Sequence, residues 1–130
     1  MKREVFWKNP GYKSRPSLKG DIKCSYLIVG GGITGVSLAY FLAKGGAKNV
    51  VLIEKNTIGG GATGKSAGIL TLKGELDLGG LIKLHGRKAA LKHWYGNRYG
   101  LDLIKKIIKQ ENLKCEFEMQ PTIFGGFYDG

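Results

Sequence analysis

The feature that most constrains this chain is a run of three glycines, Gly30 to Gly32, set between a short apolar run and a helical pattern. Tyr26, Leu27, Ile28 and Val29 precede it, as expected of a buried parallel strand bounded by glycine. From Thr34 to Lys44 the pattern is helical, with Val36, Ala39, Tyr40 and Ala43 on one face, and Gly45 with Gly46 supplies a C-terminal stop. Val50 to Ile53 then reads as a second buried strand. Strand, helix and strand in about thirty residues make a βαβ unit, and the crossover of such a unit is right-handed almost without exception.

Gly30, Gly32 and Gly35 match the pattern GxGxxG in the context that gives it meaning, after a strand and opening a helix. The first glycine permits a tight turn, the second lets a pyrophosphate approach the backbone, and the third lets helix and strand pack closely. Free N–H groups and the positive end of the helix dipole then face the phosphates. Glu54 ends the second strand 19 residues after Gly35, where a carboxylate can accept the hydroxyls of an adenosine ribose. A free 2′-hydroxyl is expected there, which disfavours NADP. These residues alone leave FAD and NAD both open.

The stretch from Leu27 to Leu70 resembles the opening of the D-amino-acid oxidase-like group of flavoproteins, which includes glycine and sarcosine oxidases. In that group a loop of the form G-x-G-A-T-G-x-x-A-G follows the second strand and runs beside the flavin. Here it reads Gly59, Gly60, Gly61, Ala62, Thr63, Gly64, Lys65, Ser66, Ala67, Gly68. Gly60 and Ser66 stand where many members have serine and asparagine. The resemblance implies an FAD cofactor, contacted by Ile33, Thr34, Glu54, Lys55, Ala62, Thr63, Ala67, Gly68 and Ile69 in addition to the turn glycines. It also implies oxidation of the C–N bond of an amine or amino-acid substrate by hydride transfer to FAD. A weaker resemblance, carried by the residues from Arg15 to Asp21 and from Leu81 to Trp94, is to gamma-glutamylputrescine oxidoreductase-like members.

The same resemblance places the groups that bind substrate in later sequence, so no catalytic residue is assigned here. The expectation is an incomplete fold: a Rossmann-like α/β unit, a long helical segment and a C-terminal β-hairpin, to be completed by later sequence or a second chain. A non-catalytic dinucleotide-binding fragment of a split or truncated flavoprotein is the alternative, and a fragment of an NAD-dependent dehydrogenase is another.

Residues 1–21 read as an irregular arm, with Pro10, Gly11, Pro16 and Gly20 among charges and the aromatic residues Phe6, Trp7 and Tyr12 to pin it. Residues 22–130 read as the N-terminal part of an FAD-binding domain, ending at the start of a substrate-domain sheet. From Leu81 to Asn112 a long helix is expected, since Ala90, Trp94, Asn97, Leu101, Ile104 and Ile108 recur at steps of four and three. Gly86, Gly96 and Gly100 weaken it and are candidate points of division. Cys115 to Met119 alternates like a half-exposed strand, with Ile123 to Tyr128 as its partner across a turn at Pro121.

Competing patterns have simpler explanations. Gly59, Gly64, Lys65 and Ser66 match the P-loop expression, but a true P-loop leaves its strand directly and enters a long helix. Here Lys55 to Ile58 intervene, and no later strand offers an Asp for Mg²⁺. The formal charge of +11, from 21 basic and 10 acidic residues, suggests a polyanion partner. The basic residues are scattered along the arm and the long helix without a nucleic-acid motif, so a solvated surface is expected and no nucleic-acid partner.

Cys24 and Cys115 form neither a metal motif nor a disulfide framework, which fits a cytoplasmic protein. The uncharged run from Ser25 to Ala43 is broken by its glycines and is not read as a transmembrane segment. His85 and His93 are expected on the helix surface or in helix packing. Trp94, Tyr95 and Tyr99 are expected in core packing, and Cys115 as a buried apolar residue.

Overall fold

The computed structural model describes residues 15–121, which fall into two compact units divided between Ile69 and Leu70. The first holds strand β1 (Tyr26–Val29), helix α1 (Ile33–Lys44), strand β2 (Val50–Ile53) and a single 3-10 turn at Thr63–Lys65. The second holds helix α2 (Leu78–Gln110).

β1 and β2 pair in parallel, with Tyr26 opposite Val50 and Val29 opposite Ile53. Asn49 sets this register. It sits at φ 55°, a left-handed conformation that asparagine tolerates better than most residues. Its carbonyl accepts from the N–H of Ser25 at 3.0 Å, and its side-chain amide donates to the Lys23 carbonyl at 3.2 Å. The two strands therefore start level and end level, so Gly30 and Glu54 emerge side by side at their carboxyl ends.

The expectation that both strands are buried is corrected for both, since β2 is half-buried throughout and β1 is mostly exposed. Ile28 is 6% exposed, whereas Leu27 and Val29 are 55% and 76% exposed. Alternation along the strand sends these side chains to opposite faces. α1 covers the Ile28 face, and among the described residues of this unit no second layer covers the other. The expected inner face of α1 is corrected too, because Val36 and Ala43 are exposed. Gly35, Ala39 and Leu42, spaced by four and three, are less so. Almost every position of this helix is apolar or small, so periodicity could not say which stripe meets the sheet. α1 ends in a Schellman motif: Gly46 at φ 81° donates to the Ala43 carbonyl, and Ala47 donates to that of Leu42.

In the second unit, Asp77 caps α2 through a 2.7 Å hydrogen bond from the Gly80 N–H, which satisfies one of the helix's unpaired donors. This cap starts the helix three residues before Leu81. Gly86, at φ 78° and ψ 159°, divides α2 into 78–85 and 87–110, while Gly96 and Gly100 stay helical. The stripe from Ala90 to Ile108 is the less exposed one, as its spacing predicts, and Ala90 is fully buried. Tyr95 and Tyr99 depart from expectation at 67% and 70% exposure, since they lie one and two positions off that stripe. His85 and His93 are on the surface.

The expected hairpin fails in its first arm. Residues 115–121 are irregular, and Glu116 at φ 51° has a left-handed conformation that breaks the regular strand geometry. Cys115 is exposed instead of buried. The second arm, Ile123 to Tyr128, and the aromatic arm residues Phe6, Trp7 and Tyr12 lie outside the described residues. Among the described residues, no helix is long and apolar enough to cross a membrane.

Candidate dinucleotide site

The site is built where the parallel strands end. Gly30 completes the ladder by donating to the Ile53 carbonyl at 2.8 Å, then turns the chain at φ 104°, a region closed to most side chains. Gly35 carries the third task of the motif. A Cβ there would run into the carbonyl oxygen of Gly30 and meet Ile28 Cγ2 at 3.3 Å, so only glycine lets α1 sit this close to β1. Gly32 occupies the N-cap position of α1, with no side chain to cap it.

That missing cap comes from far along the chain. The N–H of Ile33, the first residue of α1, donates to Thr63 Oγ1 at 2.9 Å. The N–H groups of Thr34 and Gly35, the next two, have no partner among the described residues and remain for a ligand. The turn is tied to the second glycine-rich segment at Gly31 as well. Its N–H donates to Glu54 Oε2 at 2.7 Å, and its carbonyl accepts from Gly59 at 2.8 Å.

Glu54 is held at both oxygens, since Oε1 accepts from the Asn56 N–H at 2.9 Å. The Asn56 bond, then the Gly31 bond, and to a lesser degree the Lys55 N–H, hold its carboxyl below the ordinary carboxylate range, against a smaller opposing effect of desolvation. The group is therefore an ionised, oriented acceptor at neutral pH. It lines an open cleft of about 310 Å³ together with Val29, Gly30, Ile53 and Lys55. An oriented carboxylate in a cleft beside free helix N-terminal donors has the right chemistry for a ribose with its pyrophosphate, and the donor set fits the adenosine half of FAD.

Of the residues expected to contact a cofactor, Gly30, Gly32, Ile33, Thr34, Gly35, Glu54, Lys55 and Thr63 are brought together in this way, with Ala62 beside Thr63 at the head of the 3-10 turn. Ala67, Gly68 and Ile69 lie in exposed, irregular chain beyond it, and no hydrogen bond joins them to the glycine turn among the described residues. Sequence reasoning assigned nothing to Asn56 and Ile58, and it placed Gly31 in the turn and Gly59 in the second loop without giving either a contact of its own. A Cβ on Gly31 would strike Ile58 Cδ1 and crowd Glu54 Cβ at 3.2 Å. The run of three glycines carried that signal, but GxGxxG treats its middle position as free.

The P-loop likeness has no structural counterpart. The segment runs into a 3-10 turn of three residues, after which Ser66 is extended. The N–H groups of Gly59, Gly60, Lys65 and Ser66 are already taken by the carbonyls of Gly31, Thr57, Ala62 and Thr63, whereas a P-loop keeps such groups free to cradle phosphate.

The family described as FAD dependent oxidoreductase matches residues 25–129. A Bacillus subtilis (strain 168) protein named as a Rieske 2Fe-2S iron-sulfur protein is 34% identical over 115 residues, 88% of this chain and 22% of its own length. Human mitochondrial dimethylglycine dehydrogenase is 56% identical over 45 residues, 35% of this chain and 5% of its own length. Gamma-glutamylputrescine oxidoreductase of Escherichia coli (strain K12) is 32% identical over 106 residues, 82% of this chain and 25% of its own length. The chain thus spans a quarter or less of the length of these relatives. No solved structure is significantly similar to it.

Proposed function

The chain belongs to the FAD-dependent oxidoreductase family, and on that premise we propose that it is the N-terminal, FAD-binding portion of an enzyme that oxidises the C–N bond of an amine or amino acid. The observation that carries the reading is the Glu54 carboxylate, fixed by the Gly31 and Asn56 N–H groups next to the N-terminus of α1. Glu54 and the cleft beside it take the adenosine ribose, and the free N–H groups of Thr34 and Gly35 take the pyrophosphate. When bound, FAD supplies the acceptor for the hydride removed from the carbon that bears nitrogen. The residues of this chain orient and anchor the cofactor. The names of the dimethylglycine and gamma-glutamylputrescine relatives support an amine or amino-acid substrate.

The test is a titration of the purified full chain with FAD and, separately, with NAD, read by flavin fluorescence and by calorimetry. Saturable FAD binding that Glu54→Gln weakens supports the proposal. Binding of NAD but not FAD, or of neither, overturns it.

A further inference from the structure

Helix α2 carries a second stripe besides the one from Ala90 to Ile108. From it, and independently of the cofactor reading, we propose that α2 is a docking surface for an acidic protein partner, anchored by Tyr95 and Tyr99 and framed by lysines. Lys88, Lys92, Tyr95, Tyr99, Asp102 and Lys106 recur at steps of four and three, and all six are exposed. Their phase puts them on the side of the helix opposite the less exposed stripe. Neither tyrosine has a ring contact or a hydrogen bond among the described residues.

A helix face that meets only water mixes charges of both signs, because opposite charges three or four residues apart stabilise it and like charges destabilise it. α2 carries eight basic residues and one acidic. The acid, Asp102, is paired with Arg98 at 3.0 Å. No other carboxylate on α2 offsets the like pairs formed by Lys88 with Lys92 and by Lys105 with Lys109. Two tyrosines one turn apart add a compact patch of ring surface between the basic ends of this stripe. An aromatic centre with charge at its rim is the anatomy of a protein interface, and tyrosine is among the residues that anchor one.

Charge complementarity selects the occupant. A second copy of the chain would set one basic helix against another and is repelled. A continuous polyanion, whether a nucleic-acid backbone or an anionic membrane, would meet the Asp102 carboxylate as it ran from the lysines on one side of the tyrosines to those on the other. A protein presents its carboxylates at separate points, so it can pair with Lys92 and Lys106 and leave Arg98 and Asp102 to each other. At about 1.5 Å of rise per residue, those two lysines stand roughly 21 Å apart along the axis, with the tyrosines between them. The partner therefore offers acidic groups on either side of an apolar or small-residue spot. Two aromatic anchors make a small interface, of the class that forms transient complexes quickly and is sensitive to salt.

The test uses the full chain and, as probe, a fluorescent helical peptide of glutamate, alanine and leucine, with glutamates spaced to face Lys88, Lys92 and Lys106 and leucines to face the tyrosines. Fluorescence anisotropy should show saturable binding that weakens several-fold between about 50 and about 200 mM salt. The double variant Tyr95→Gln with Tyr99→Gln should bind about tenfold more weakly, the scale of a lost interface anchor. Each change made singly repeats the comparison if the double variant loses helicity by circular dichroism. Lys92→Glu with Lys106→Glu should abolish binding and instead accept a peptide with lysine in place of glutamate. Absence of binding to the acidic peptide, undiminished binding by the tyrosine variants, or failure of the charge swap would overturn the proposal. A short DNA duplex, or vesicles of phosphatidylserine in phosphatidylcholine, would overturn it too by binding the wild type more tightly than the peptide and losing affinity with the same tyrosine changes, since the face would then belong to a polyanion.

Discussion

Gly35→Ala is the sharpest test of how the site is assembled, because helix propensity and packing push in opposite directions. In a free helix the change would stabilise by about 1 kcal/mol. Here the new Cβ would meet the carbonyl carbon of Gly30 at 3.2 Å and Ile28 Cγ2 at 3.3 Å, with the Gly30 oxygen closer still. That carbonyl shares a peptide plane with the Gly31 N–H, which Glu54 Oε2 holds at 2.7 Å, so it cannot rotate away as a side chain would.

The relief available is for α1 to lift from β1 by roughly 1 Å, a rearrangement of the overpacking kind that costs about 1–3 kcal/mol. A rigid backbone partner puts this case at the upper end, for a net loss of about 2 kcal/mol after the propensity gain. The same lift carries the Ile33 N–H beyond hydrogen-bonding range of Thr63 Oγ1, now 2.9 Å away. FAD affinity should therefore fall by tenfold or more. Urea denaturation followed by far-UV circular dichroism gives the first quantity, and a flavin fluorescence titration gives the second. A Gly35→Ala chain as stable as the wild type, with FAD affinity within about twofold, would refute the reasoning.

Three further outcomes follow from the same geometry. Gly96→Ala and Gly100→Ala lie in helical backbone where a Cβ meets open space, so each should raise the urea midpoint, by about 0.8–1 kcal/mol in stability; a loss at both would contradict the helical geometry found there. Gly31→Ala should weaken FAD binding more than Gly32→Ala, since the first displaces Ile58 and crowds Glu54 while the second meets only Thr63 Oγ1 at 3.3 Å; the reverse order in the titration would count against the turn as described. Glu54 has a lowered pKa in the fold, so its contribution to stability is complete above the ordinary carboxylate pKa of about 4.3 and is lost as pH falls through the lower folded value. The stability difference between wild type and Glu54→Gln should accordingly shrink as pH falls below about 4.3 toward the lower folded value, and an unchanged or growing difference in urea titrations would contradict it.

What the sequence made legible was whatever a local pattern records. Tyr26–Val29 and Val50–Ile53 are apolar runs bounded by turn residues, and both strands have the expected bounds. Glu54 was recognisable because its distance from Gly35 is set by the length of one helix and one strand. Periodicity failed where every phase is apolar, as in α1, and where alternation has no partner strand among the described residues, as from Cys115 to Met119. It also could not see ties between segments. Nothing in the spacing of Thr63 says that its hydroxyl replaces the side chain absent at Gly32, nor does GxGxxG reveal that Gly31 is more tightly enclosed than Gly32.

These ties change what the glycine motif means as a binding device. The turn offers a fixed number of outward N–H groups, and partners 23 and 30 residues away take two of them, at Gly31 and Ile33. On the reading proposed above, the phosphate site consists of the donors left over, at Thr34 and Gly35. The turn can therefore stay unaltered while its ligand preference changes. A substitution in the loop from Gly59 to Ser66 that released Ile33, or filled the space above Gly32, would alter the number and direction of donors facing a diphosphate. Specificity for one dinucleotide over another then resides as much in this loop and in the carboxylate of Glu54 as in the three glycines, which supply a backbone close enough for all of these groups to converge.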